Sequence, residues 1–375
     1  IVNIFDLTRL SDALDGIHAA IRDEIAAFHP DTLLAEVKTA FADAQQAVED
    51  FDPLGPVIET LDILKETVIR VLEKLDGDAL LAAPIDIFNS VMDLLRALDL
   101  NPAPLHQHLA NLRSPRLGIY FEGLIAFYWR HYPDCELLLQ NFQIGTRQQT
   151  LGELDFVVRR HSTLIHLEAA VKFFLGVRSD VAAAPHSEWH QWIGPGCNDR
   201  LDLKLERLLG HQLPLPHSPA ARAQLLDAGL EPSQLQSQLQ LQGYLFYPTR
   251  YQLEPAKDTA SAHSRGDWYY LDDFLDVLNE LAAERWQRPP KNHWLAPLQC
   301  RASEVPSAPL LEVDALRQAL LDHFNGSDGH AHRPVLLTGL QAHQSVGQES
   351  IWQESQRCFV VPNQWPGTAE PSRKT

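Results

Sequence analysis

All eight Trp and all eight Tyr of this 375-residue chain lie after residue 117, and this asymmetry divides it into two parts that build their cores differently. The first hundred residues are rich in Ala, Leu and Asp and hold 20 acidic against seven basic side chains, so they carry −13 of the formal −18 charge. The segment Asp31-Thr32-Leu33-Leu34-Ala35 through Phe41 returns as Asp78-Ala79-Leu80-Leu81-Ala82 through Phe88, and Phe5-Asp6 returns as Phe51-Asp52, a repeat of roughly 47 residues. Within a unit the apolar residues recur at three- and four-residue steps, as in Ile58, Leu61, Leu64, Val68, Val71 and Leu72, which predicts amphipathic helices. Pro53, Pro56, Pro84 and Pro102 punctuate them. Residues 1–103 are therefore expected to form an all-α, acidic repeat segment, a spacer or a surface for self-association, since each unit buries its apolar face only against a neighbour.

From Pro104 the pattern becomes mixed α/β. The spacing predicts a helix over Leu117 to His131, strands over Glu136 to Ile144, Glu153 to Arg159 and Leu164 to Phe173, and a turn at Thr146 to Thr150. The three strands can form a meander. A helix opening near Asn198-Asp199, with Asn198 as cap, is expected to run to about His211, followed by a helix over Pro219 to Ala228 and a strand over Gln236 to Tyr247. Further helices are expected at Asp272 to Glu284 and Val313 to Phe324, with strands at Val335 to Leu340 and Arg357 to Val361. Trp268-Tyr269-Tyr270 reads as core or edge packing. Residues 104–365 are taken as one α/β domain and residues 366–375 as a disordered tail.

Some classes of function are set aside at this stage. No run approaches the roughly 20 apolar residues of a membrane span and no secretory leader is visible, so a cytoplasmic location is expected. Cys135, Cys197, Cys300 and Cys358 are scattered, which argues for free thiols rather than a zinc site. His330 and His332 flank one alanine, a pattern more typical of a solvated loop than of a metal site.

Chemistry concentrates in three stretches: Glu122 in Gly118-Ile119-Tyr120-Phe121-Glu122, then Gly152-Glu153-Leu154-Asp155-Phe156, then His166-Leu167-Glu168-Ala169-Ala170-Val171-Lys172-Phe173. Hydrolysis of a phosphodiester calls for hard oxygen ligands to Mg²⁺ and a cation beside the developing charge. Asp155 and Glu168 suit the metal, and Lys172 suits the charge-stabilising or water-orienting role. Glu122, on a mostly apolar helix face, either approaches that site as an auxiliary or salt-bridges to a cation in the core. Arg200, Lys204, Arg207 and His211 form a basic stripe at helical spacing that can track phosphates; the competing view is a solvated face balanced by Asp202 or Glu206.

The order Gly152-Glu153-Leu154-Asp155-Phe156, short turn, strand ending in Val171-Lys172 resembles the motif of the PD-(D/E)XK nuclease superfamily, with Glu122 matching its first-helix glutamate. Arg116-Leu117-Gly118-Ile119-Tyr120-Phe121-Glu122, His166-Leu167-Glu168 with Ala170-Val171-Lys172-Phe173, Trp192-Ile193-Gly194-Pro195 with Asp199-Arg200-Leu201, His211-Gln212-Leu213, Gly243-Tyr244-Leu245-Phe246-Tyr247-Pro248 and Trp294-Leu295-Ala296-Pro297 resemble the bacterial domain-of-unknown-function family 1853, over roughly residues 104 to 365. The resemblance implies a restriction-endonuclease-like α/β fold, with a mixed sheet flanked by helices, that cleaves nucleic acid with Mg²⁺ or Mn²⁺. One departure matters: the superfamily sets its second acid two residues before the lysine, where this chain has Ala170. Glu168 and Lys172 would lie about 13 Å apart on a regular strand. A β-bulge, or Glu122 as a substitute ligand, would restore a site; otherwise the domain is a catalytically inactive binding or assembly module.

Overall fold

The computed structural model describes residues 93–132, 135–145, 150–160, 162–178, 186–260, 263–301, 308–326, 333–343 and 351–367. The repeats of residues 1–92, the turn at 146–149, His330 and His332, and residues 368–375 lie outside them. The chain divides into two units, one formed by residues up to Ser114 together with Ile119–Glu136, the other by Pro115–Gly118 and Leu137 onward.

In the first unit a helical stretch over residues 93–100 is followed by helix α1 (Ala103–Ala110) and helix α2 (Leu117–His131). Gly123 lets α1 and the turn after it come close to α2: Leu112 packs where a side chain would stand, and His108 Nε2 reaches the Gly123 carbonyl at 2.9 Å. Phe127 packs against both His108 and His131, with ring centroids 5.5 and 4.0 Å apart.

The second unit is built on a ten-stranded mixed sheet: β1 (Cys135–Gly145), β2 (Thr150–Arg160), β3 (Thr163–Gly176), β4 (Trp192–Ile193), β5 (Leu235–Pro248), β6 (Ser264–Tyr270), β7 (Arg285–Gln287), β8 (Gln299–Arg301), β9 (Val335–His343) and β10 (Ile351–Val361). Its order is β1-β2-β3-β5-β6-β10-β9-β7, with β4 paired to β3 and β8 to β10. The β2/β3 pair is antiparallel, β3, β5, β6 and β10 run parallel, and β9 returns antiparallel. The expected adjacency of β1, β2 and β3 holds, and Trp268-Tyr269-Tyr270 is the end of strand β6 in the parallel core.

Helices α3 (Leu201–Arg207), α4 (Pro219–Asp227), α5 (Leu271–Val277) and α6 (Val313–Asn325) flank the sheet. Each begins or packs for a local reason. Ser218 caps α4 by accepting the Ala221 N–H, with Pro219 in the first turn where no donor is needed. In α6 the spacing of Leu316, Leu320 and Phe324 buries one stripe against Val335, Leu337, Cys358 and Val360. Leu215, Ala221 and Leu225 close over Ile144, Leu154, Val157 and Leu164. Leu201 joins Phe174, Trp192 and Tyr247. The predicted helix after Asn198 is shorter and starts later: Arg200 is its extended cap position and Leu208–Gln212 is a π-helical turn, with Leu213 N–H bonding Leu208 C=O. Among the described residues no helix is long and apolar enough to cross a membrane. All four cysteines are free thiols.

Candidate functional site

The site lies where the sheet opens. The β2/β3 ladder ends at the pair Phe156 and Leu167, and β4 joins the same side of β3 only at Leu175. Across the gap, side chains replace the ladder: Asp155 Oδ2 accepts the Ala169 N–H at 3.0 Å, and Glu168 Oε1 faces the Asp155 N–H at 3.5 Å. Alternation along β3 puts His166, Glu168, Ala170, Lys172 and Phe174 on one face. The chain from Asp199 to Leu213 covers that face, since it meets Lys172, Glu168 and Phe174 in turn.

Glu168 is sealed in. Its side chain and that of His166 are both 0% exposed, and His166 Nε2 donates to Glu168 Oε1 at 2.9 Å. Gln212 donates to Glu168 Oε2 at 2.7 Å, so both carboxylate oxygens are bonded inside the protein. Behind them His166 Nδ1 meets Ser237 Oγ at 3.1 Å, and the Ser237 hydroxyl donates to the Leu213 carbonyl at 2.8 Å. A buried carboxylate needs such a full set of partners. The π turn delivers Gln212 to this network, a use of π-bulges that recurs at functional sites.

Lys172 and Asp199 sit nearer the surface, 33% and 35% exposed, with the ammonium in direct contact with Asp199 Oδ2. Asp199 is aimed by its loop. Gly194 N–H bonds the Asp199 carbonyl at 2.8 Å, Asp199 Oδ1 accepts the Arg200 N–H at 3.0 Å, and Trp365 Nε1 holds Pro195 C=O at 3.0 Å. Lys204, half-buried on α3, completes the cluster. Burial, then Lys172 and Arg207, push its ammonium below the ordinary lysine range, while Asp155 and Asp199 pull it up.

Of the residues expected from sequence, Asp155, Glu168, Lys172 and Lys204 come together in the second unit. Glu122 lies half-buried on α2 in the first unit. Along the basic stripe Arg200 is forked onto Asp202 at 2.6 and 2.9 Å, Lys204 is half-buried, and Arg207 and His211 are exposed. Asp199 is the residue that sequence reasoning passed over. Short-range pattern does not mark it: it precedes α3, whose Asp202 and Glu206 balance Lys204 and Arg207, and it meets Lys172 only when the Gly194-Pro195-Gly196 loop closes over β3.

The donor set bears directly on the expected metal. Mg²⁺ and Mn²⁺ take hard oxygens, usually one or two carboxylates completed by water and phosphate. Asp155 offers a carboxylate at the opening, but Glu168 has neither a free oxygen nor access. Among the described residues no three His, Cys, Asp or Glu side chains gather in a way that could hold an ion. In this arrangement both Glu168 oxygens are engaged by His166 and Gln212, so Glu168 would have to give up one of them to join Asp155 on an ion.

Comparison with curated proteins and with solved structures gives no match. A family model does match, over residues 59–361, starting upstream of the Pro104 boundary expected from the change of pattern. It spans the sheet, the opening with its Asp155, Lys172 and Asp199, and the buried Glu168 network, and the chain accordingly belongs to the family described as Domain of unknown function (DUF1853).

Proposed function

We propose that the chain is a nuclease-like module that binds the phosphodiester backbone of nucleic acid in the cytoplasm without hydrolysing it. The burial of Glu168 with both oxygens engaged carries this reading, because it removes one of the two metal ligands that hydrolysis would require. The nuclease-like fold is supported by the ordered motifs and by the position of Asp155 and Lys172 at the open edge of β3. Phosphate contact is supported by Lys172 and Lys204 at that edge, with Arg207 exposed beyond them. The formal charge after the first hundred residues is about −5, so affinity should be modest and strongly salt-dependent.

A second reading, hydrolysis with Mg²⁺ or Mn²⁺, is favoured by one observation: Asp155, Glu168 and Lys172 share a face of the sheet opening instead of being splayed apart. The two readings separate in one assay. Short fluorescent single-stranded DNA, duplex DNA and RNA are incubated with the full chain and Mg²⁺ or Mn²⁺, and run on native and denaturing gels. The expected result is retardation at low salt, lost as salt rises, with every oligonucleotide intact. Metal-dependent cleavage that disappears in both Asp155→Ala and Lys172→Ala would replace this reading with the second; absence of retardation at low salt would end it.

A further inference from the structure

Lys172 and Lys204 lie within electrostatic reach of each other: Asp199 touches Lys172, and Asp155 and then Asp199 act on the Lys204 ammonium. Two cations that share an anion at a partly exposed opening are arranged as an anion site, and here the anion belongs to the protein itself. We infer that Asp199 occupies, as an internal anion, the place where a phosphate group docks, and that a phosphate ester enters by exchanging with it at Lys172. This inference rests on the proposed phosphodiester binding and names the step that controls it.

Three features support exchange over a permanent ion pair. Asp199 and Lys172 are each about one-third exposed, so water or a ligand oxygen can reach both. Ion pairs of that exposure are weak, and a phosphodiester, whose single charge is spread over two unbridged oxygens as in a carboxylate, can take the place of Asp199 at the ammonium, while a terminal phosphate or pyrophosphate brings more charge to it. The backbone around Asp199 is held independently of its contact with Lys172, by the Gly194 N–H, by Trp365 at Pro195 and by the antiparallel bridge between Ile193 and Arg200. The carboxylate can therefore swing away by side-chain rotation, giving up the Arg200 N–H as well as Lys172, while the loop stays in place. The contrast with Glu168 is sharp, since that carboxylate is buried and bonded on both oxygens.

The inference fixes the sign of a substitution. If Asp199 merely supported the fold, Asp199→Asn would weaken binding or leave it unchanged; as a competitor of the ligand, its neutralisation strengthens binding. The experiment measures pyrophosphate binding by titration calorimetry and single-stranded oligonucleotide binding by fluorescence anisotropy, on the full chain at low salt. The variants are Asp199→Asn, Asp199→Ser, Asp199→Asn with Lys172→Ala, and Asp314→Asn, which removes the same charge from the exposed start of α6. Thermal melting shows that each is folded, and the serine variant serves if the asparagine one is not. The expected result is about tenfold tighter pyrophosphate binding in the Asp199 variant, equivalent to about 1.4 kcal/mol, reversed by Lys172→Ala and absent in Asp314→Asn. A native-like Asp199 variant with unchanged or weaker pyrophosphate binding overturns the inference, as does an equal gain in Asp314→Asn. Tighter pyrophosphate without any oligonucleotide binding keeps the inference, assigns the site to a free phosphate compound and removes the nucleic-acid reading. Oligonucleotide binding that is equal in wild type and variant, with pyrophosphate unchanged, keeps that reading and removes the inference.

Discussion

Gly243→Ala is expected to leave too little folded protein for a two-state transition to be measured, a loss above about 4 kcal/mol. Two effects add. Gly243 has φ +132°, a backbone conformation closed to side chains, and a Cβ there would stand 1.6 Å from the Lys172 carbonyl oxygen. That oxygen cannot retreat cheaply, because Lys172 and Gly243 are paired in the parallel ladder between β3 and β5 at the centre of the sheet. Gly210→Ala, in the π turn with nothing within 4 Å of the added methyl, should be tolerated. Urea unfolding of both variants checks the pair; a Gly243→Ala protein as stable as wild type would mean that β3 and β5 do not pair in this register.

The second large effect is expected at Arg357. Its side chain is 2% exposed and Glu354 is 7% exposed. The guanidinium forks onto Glu354 at 2.7 and 2.8 Å, donates to the Trp294 and Ala296 carbonyls at 2.5 and 2.7 Å, and lies over the Tyr244 ring. Arg357→Met leaves the buried Glu354 carboxylate with the Leu298 N–H alone and leaves two carbonyls without their donor, a cost of about 3–5 kcal/mol. Arg357→Lys recovers only part of it, since an ammonium cannot reproduce the fork. The double change Arg357→Met with Glu354→Gln should be milder than the single one, because the orphaned charge is removed with its partner. Denaturant midpoints across this set measure it, and a double variant less stable than Arg357→Met would show that the ion pair is not the source of the cost.

Local structure was largely legible in the sequence. The period of two along β3 sets Glu168 and Lys172 on one face, where Gln212 and Asp199 of the covering segment meet them. The same period puts His166 beside Glu168, and the structure pairs the two, whereas the sequence pattern presents Glu168 only as a metal ligand. Gly243 stands in the sequence only as part of a family motif; its close approach to Lys172 is seen in the structure. Three features could not be read from short-range pattern. The insertion of β10 between β6 and β9 depends on pairing between distant segments. The π turn has no period distinct from an ordinary helix, and it shifts only His211 off the helical spacing of the basic stripe, while Arg200, at the extended cap position, turns back onto Asp202. Asp199 acquires its role only when its loop closes over β3. The helical repeats expected before residue 93 fall outside the described residues.

The claim on which the functional account rests is that the Glu168 carboxylate is consumed inside the protein and takes no metal. A Mn²⁺ titration of the full chain, followed by the electron paramagnetic resonance signal of the free ion, tests it without assuming any substrate. The account predicts no saturable site, and the same curve for wild type, Asp155→Asn and Glu168→Gln. One saturable Mn²⁺ site in wild type that is lost in both variants would contradict it and return the two carboxylates to metal-dependent hydrolysis.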